Sequence, residues 1–300
     1  MTTVTEAQTD AGAGTGARTR AKRSKFDWSQ FRTYLGVAVI VIWGLAPAVW
    51  MLITSFRPVG DTFETSVWPS HPTLDNYRTA FDTSLGNHFA RDLGNSLLIG
   101  VVVTIVAMAA GVFCAYALAR LEFRGKYALT GMILAASMFP PVALVSPLFQ
   151  LFTNLDWIGK YQALIIPDIS FALPLTVYIL VAFFRDMPWD LEESARIDGC
   201  TQSQAFRLII LPLAAPGLFT TAILAFIAAW NEFLLASQLS SDKTQPVTVA
   251  IANFTGSQPH QEPYTAVMAA GVIITIPLVI MVLLLQRRIV AGLTAGGVKG

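Results

Sequence analysis

Residues 34–55 read YLGVAVIVIWGLAPAVWMLITS, twenty-two positions without one charged side chain. A helix needs about 20 apolar residues to cross a hydrocarbon core ~30 Å thick, and this run has that length. Five more stretches of the same kind follow, at 96–119, 128–152, 162–184, 213–236 and 264–285, the third interrupted by Pro140, Pro141 and Pro147. Each stops near a proline, a glycine or a charge, as helices do. Hydrocarbon offers the backbone no hydrogen-bond partner, so runs this long are read as helices rather than open sheet. A globule of 300 residues has no room to bury six wholly apolar helices. The expected fold is an all-α membrane protein with six transmembrane helices.

Composition agrees. Hydrophobic residues make up 54% of the chain and charged residues 13%, where a soluble domain uses roughly 25% charged residues. A formal net charge of +1 excludes a polyanion binder held by bulk charge, and the hydrophobicity excludes a disordered chain. Cys114 falls within the second span and Cys200 in a loop, and two cysteines do not frame a disulfide scaffold. Residues 1–30 form an Ala-, Gly- and Thr-rich tail without the apolar core of a cleaved signal peptide. Gly12, Gly14 and Gly16 in that tail are preceded by no strand, so they read as a flexible end and not as a nucleotide loop.

The positive-inside rule orients the chain. Of the Lys and Arg residues, 15 lie before the first span, in the second-to-third and fourth-to-fifth loops and after the sixth span, against 5 on the other side. Both termini are therefore expected in the cytoplasm of a multi-pass protein of the cell inner (plasma) membrane. The six-span domain runs over 31–290, with a cytoplasmic loop at 185–212, an external loop at 237–263 and a cytoplasmic tail at 291–300.

The loop at 185–212 carries the most information. It reads RDMPWDLEESARIDGCTQSQAFRLIILP. Pro188 suits the first turn of a helix, where its missing N–H is harmless. Gly199 suits the left-handed position that stops one. Thr201 followed by Gln204 reads as a capping box for a second short helix, ending near Leu211 before Pro212. Leu191 and Ala195 share one face at i, i+4 spacing, ringed by Glu192, Glu193 and Arg196. A helix, a glycine corner and a second helix projecting from the membrane suit a groove on another protein. The competing reading, a helix lying on lipid, prefers Lys and Arg on its polar face, and this helix is acidic.

Glu193-Ser194-Ala195, Gly199 and Ile209-x-Leu211-Pro212 at these spacings resemble the EAA loop of ABC importer permeases. Ser194 stands where that pattern usually has Ala. Trp230-Asn231-Glu232-Phe233 and the C-terminal GLTAGGVKG are similar to the maltose-type, MalG-like sugar permeases, over about residues 30–300. The segments FALP at 171–174, FFRDMPW at 183–189 and QRRIVAG at 286–292 resemble the permeases of mycobacterial trehalose importers. The resemblance implies the type I importer (MetI/MalG-like) fold and a disaccharide substrate, most of all trehalose, with a maltose-like oligosaccharide as the alternative. It implies a second six-span permease (SugA-like), an ATPase dimer (SugC-like) that binds the ATP and Mg, and an extracytoplasmic binding lipoprotein (LpqY-like). It implies that Glu193, Ser194, Ala195, Gly199, Ile209, Leu211 and Pro212 couple to the ATPase, loss of Glu193 or Gly199 uncoupling transport.

The residues themselves point the same way. A P-loop needs G-x-x-x-x-G-K-[ST]; Gly125-Lys126 is followed by Tyr127 and lacks the upstream glycine, so no cofactor is expected on this chain. No nucleophile–base or metal constellation is apparent, and His71, His88 and His260 fall in expected external loops. Ionisable groups inside a membrane are costly and usually face a cavity or a partner. Asp168 and Glu232 are such groups and Asn231 is a polar neighbour, near the outer ends of spans four and five; all three are candidates for the translocation path, and for Asp168 and Glu232 helix capping or mutual bracing is the alternative. Trp157, Trp230 and Phe139 suit either sugar stacking or interfacial anchoring. In the external loop, likeness to the MalG-type subunit implies a scoop loop that displaces sugar from the binding protein, with Asn253, Thr255, Gly256, Ser257 and Gln258 as candidates. A short amphipathic helix is expected around 74–81. An ion-coupled secondary transporter would show inverted repeats and midplane charges; the polar residues here are off-centre and no internal repeat is apparent.

Overall fold

The computed structural model of the chain describes residues 28–62, 64–255 and 263–295, and every regular element among them is helical. It divides into two units, Met1–Pro47 and Ala48–Gly300. Helix α1 (Trp28–Ser55) begins in the first, whose described part is otherwise empty of elements. The second continues with α2 (Asp75–Ala80), α3 (Phe89–Arg120), α4 (Lys126–Ser137), α5 (Val145–Asn154) and α6 (Tyr161–Asp186). Helices α7 (Asp190–Ile197), α8 (Gln202–Ala205) and α9 (Leu211–Leu213) follow, the last two joined by a π-helical turn, Phe206–Ile210. After them come α10 (Ala215–Trp230), α11 (Ala236–Leu239), α12 (Val247–Ala252) and α13 (Tyr264–Ala295).

Helices α1, α3, α6 and α13 are each long and apolar enough to cross a membrane. The other two expected spans are broken. Residues 128–152 are not one helix: α4 and the segment Pro141–Asn154 meet at 85°. Pro140 and Pro141 supply no N–H to continue α4, whereas Pro147 falls in the first turn of α5, where no donor is required. The fifth stretch, 213–236, is likewise discontinuous. Gln202–Leu213 and Ala215–Trp230 meet at 72°, Pro216 opening α10, and the helix stops at Trp230 instead of 236. Helix α13 in turn continues to Ala295, into the tail expected from 291. The short helix expected at 74–81 is α2.

Helix α3 starts at Phe89, seven residues before the apolar run expected from 96, because its polar first turns are satisfied across the fold. Asn95 Nδ2 donates to the carbonyls of Lys243 (3.0 Å) and Gln245 (2.9 Å), and Ser96 Oγ accepts from Val247 N at 2.8 Å. The Asn95 carbonyl oxygen accepts from Tyr161 Oη at 2.8 Å, at the start of α6. At the other end Arg120 Nη2 donates to Met187 O, just past α6. Helices α3 and α6 therefore run parallel, side by side.

Small residues set how closely these helices approach, as is usual where no hydrophobic force separates helix from lipid. A Cβ at Gly111 of α3 would lie 2.6 Å from Thr176 Cγ2 of α6, and one at Gly217 of α10 would lie 2.5 Å from the Phe183 ring. One cluster of buried side chains, including Ile99, Val103, Phe152, Leu164 and Leu239, sits toward the N-terminal ends of α3 and α6. Another, with Tyr116, Leu180, Phe184, Phe206 and Ile210, lies under the 185–212 loop.

Candidate functional site

The 185–212 loop is built from local rules. Asp190, Glu192 and Glu193 occupy the first turn of α7 and Arg196 the last, each charge complementing the helix dipole. Gly199 has φ +92°, with Gly199 N donating to Arg196 O (3.1 Å) and Cys200 N to Ala195 O (2.9 Å). That pair of bonds is a Schellman stop, which needs a left-handed residue. The capping box is present: Thr201 Oγ1 accepts from Gln204 N at 3.3 Å, and Gln204 Oε1 accepts from Thr201 N at 2.8 Å.

One face of α7 departs from the periodicity. The inward pair is Glu192 and Ala195, 5% and 3% exposed, while Leu191 is exposed at 37%. Glu192 turns inward because Tyr116 Oη of α3 donates to its Oε1 at 2.5 Å, a bond that offsets the burial of a carboxylate. Outward, Glu193, Arg196, Ile197, Cys200, Thr201 and Gln202 line a shallow groove in which Ile197 is 85% exposed. Glu193 and Ser194 are exposed, Ile209 and Leu211 half-buried and Pro212 exposed. This outward groove thus offers a surface of mixed charge with one aliphatic side chain, suited to contact with another protein.

Asp168, Asn231 and Glu232 come together. All three line a cavity of about 530 Å³ between α6 and α10, whose other walls are mainly apolar, with Phe171, Leu175, Leu224 and Phe233 among them. Asp168 is 7% exposed. Glu232 Oε1 and Oε2 accept from Leu235 N (2.7 Å) and Ala236 N (2.9 Å), capping α11, and Asn231 Nδ2 donates to Ile227 O at 3.0 Å. Of the two acids for which capping was an open reading, Glu232 caps and Asp168 does not, while Asn231 ends α10 as its C-cap. Trp230 is buried, stacked on Phe226 with centroids 5.5 Å apart, and is not on the cavity wall. Trp157 stacks on Phe152 at 5.5 Å.

Of the external-loop candidates, Thr255 is held at both backbone atoms by Asn87, and Asn253 ends α12. Gly256, Ser257 and Gln258 lie outside the described residues, as does His260. Sequence reading missed Tyr116, Arg120 and Asn87. Tyr116 and Arg120 are four apart near the end of an apolar run, a spacing that marks one face but names no partner.

Residues 107–294 match the family of binding-protein-dependent transport system inner membrane components. The chain is 48% identical over 271 residues to the trehalose transport system permease protein SugB of Mycobacterium tuberculosis, covering 89% of this chain and 98% of that one. It is 43% identical to the trehalose/maltose transport system permease protein MalG of Thermococcus litoralis (89% and 95%). It is 38% identical to the sulfoquinovosyl glycerol transport system permease protein SmoH of Agrobacterium fabrum (89% and 93%). A chain of a bacterial ABC transporter involved in import of the acidic polysaccharide alginate has the same fold, with TM-score 0.71 at 20% identity, over 88% of this chain and 98% of that one.

Proposed function

Because the chain belongs to the family of binding-protein-dependent transport system inner membrane components, we propose that it is one permease subunit of an ATP-driven importer of a disaccharide, trehalose first among candidates. The observation that carries the reading is near-full-length similarity at 48% to a trehalose permease, joined to a loop shaped for a protein groove. Similarity to a trehalose/maltose permease makes maltose the second sugar to test.

In this reading the subunit forms half of the pathway with a SugA-like permease. An LpqY-like lipoprotein delivers sugar outside. A SugC-like ATPase dimer binds ATP and Mg and does the hydrolysis, so this chain is not itself the enzyme. Both termini and the 185–212 loop face the cytoplasm. Glu193, Ala195 and Gly199 shape the part of the loop that follows the ATPase as it closes, and Ile209, Leu211 and Pro212 join it to α10. The cavity holding Asp168, Asn231 and Glu232 lies on the sugar's route, with Asp168 as acceptor for a sugar hydroxyl. The segment from Asn253 to Gln258 enters the binding protein's cleft.

The test is uptake of labelled trehalose, maltose and other disaccharides by the reconstituted four-component complex. ATP-dependent uptake of trehalose in preference to the others is expected. Uptake by the purified chain alone, or none of any disaccharide, refutes the reading.

A further inference from the structure

In sequence, α6 and α10 hold the 185–212 loop; in space a third helix grips it. Tyr116 and Arg120, four residues apart and so on one face of α3, reach it at four points. The Tyr116 ring lies against Phe184 at the end of α6 (centroids 6.0 Å) and against Phe206 just past α8 (4.5 Å). Its hydroxyl donates to Glu192 in the first turn of α7. The Arg120 guanidinium lies over the Trp189 ring at 4.4 Å and donates to Met187 O at 3.0 Å. The last turns of α3 thus touch the loop before, within and after α7.

These contacts use buried charge. Glu192 and Arg120 are 5% and 4% exposed, and Glu192 Oε2 and Arg120 Nε and Nη1 have no partner among the described residues. An apolar side chain at 192 would fill the inward face of α7 without that desolvation cost. What the carboxylate adds is a short, directed, charge-assisted bond to a helix that also packs along α6 and α10, the two walls of the cavity.

We infer that Glu192 is a positioning residue of transport: through Tyr116, and beside Arg120, it fastens α7 to α3, so that displacement of α7 moves α3 directly. The inference rests on the reading of this loop as the ATPase-coupling element. Residue 193 faces the partner; residue 192 faces the subunit's own lever.

The test uses the complete complex in vesicles, with trehalose moved per ATP hydrolysed as readout, a ratio that the amount of folded complex does not change. Y116F and E192Q keep shape and remove the bond's strength. Each is expected to assemble and hydrolyse ATP while the ratio falls by about fivefold or more. The double variant falls no further than the worse single one, because both remove one interaction. A ratio within about twofold of wild type in both variants, or additive losses, overturns the inference. Failure of either to assemble makes the pair a folding contact and overturns it too. A wild-type complex that binds loaded lipoprotein and hydrolyses ATP without moving sugar refutes the importer reading instead, and the inference with it.

Discussion

Asp168 and Glu232 line the same cavity, yet Glu232 spends both carboxylate oxygens on the backbone of α11 while Asp168 accepts no hydrogen bond from any described residue. Two acidic groups in one apolar chamber therefore have different duties. D168A, which removes an acceptor worth about 1 kcal/mol to a bound hydroxyl, is expected to lower sugar uptake by about fivefold with the complex intact. E232A loses a helix cap at about 1 kcal/mol, read as a lower unfolding temperature, and E232Q keeps most of it. Normal uptake by D168A would remove Asp168 from the sugar's route.

Gly199 sits in open space, with nothing within 4 Å of where a Cβ would be, but at φ +92°. Its requirement is conformational only. G199A should cost about 1–2 kcal/mol of local strain and tilt α7 against α8, while G199N should be milder, since Asn visits the left-handed region more readily. The expected result is loss of uptake with ATP hydrolysis retained in G199A, and partial recovery in G199N. Equal uptake by all three proteins would mean that the corner does not set the angle of the loop.

The apolar runs made the membrane helices legible, because 20 consecutive apolar residues leave few alternatives. What stayed hidden was whatever depends on a partner distant in sequence. Asn95 and Asp92 look like the loop before a span, and become helix only because Lys243 and Gln245 arrive to meet them. Glu192 reads as a surface charge until Tyr116, 76 positions earlier, is found against it. Gly199 and the Thr201–Gln204 box were legible for the opposite reason, each being satisfied within a few residues. The break at Pro140–Pro141 was marked by its prolines, whereas the bend before Pro216 lies at the start of a stretch expected to be one span; the angles of 85° and 72° are set by packing.

Asn87 donates from Nδ2 to Thr255 O at 2.8 Å and accepts from Thr255 N at 3.1 Å, a two-point clasp on the residue from which the 256–262 segment departs. N87A gives up two hydrogen bonds at about 1 kcal/mol each. Deletion of 255–259 is expected to abolish uptake and leave assembly intact, and N87A should fall between the deletion and wild type. Co-purification of all subunits checks assembly, and transport of sugar from the loaded binding protein checks the rest. Unimpaired transport after the deletion would leave that segment without a role in sugar release.

Gly111 and Thr176 test whether close approach of α3 and α6 is itself required. Thr176 is 2% exposed, and a methyl at 111 would lie 2.6 Å from its Cγ2, so neither side can give without the helices parting. G111A should destabilise the subunit by about 1–3 kcal/mol, the usual cost of overpacking a tight core, seen as a lower unfolding midpoint in detergent. T176S removes the clashing methyl and keeps the hydroxyl, so G111A/T176S should regain most of the loss, although each change alone departs from the native packing. Strong recovery in the double variant is the sign of a direct contact, because two independent sites would add their costs. A double variant as unstable as G111A would place the cause elsewhere, in the α-helical backbone or in a different neighbour of Gly111.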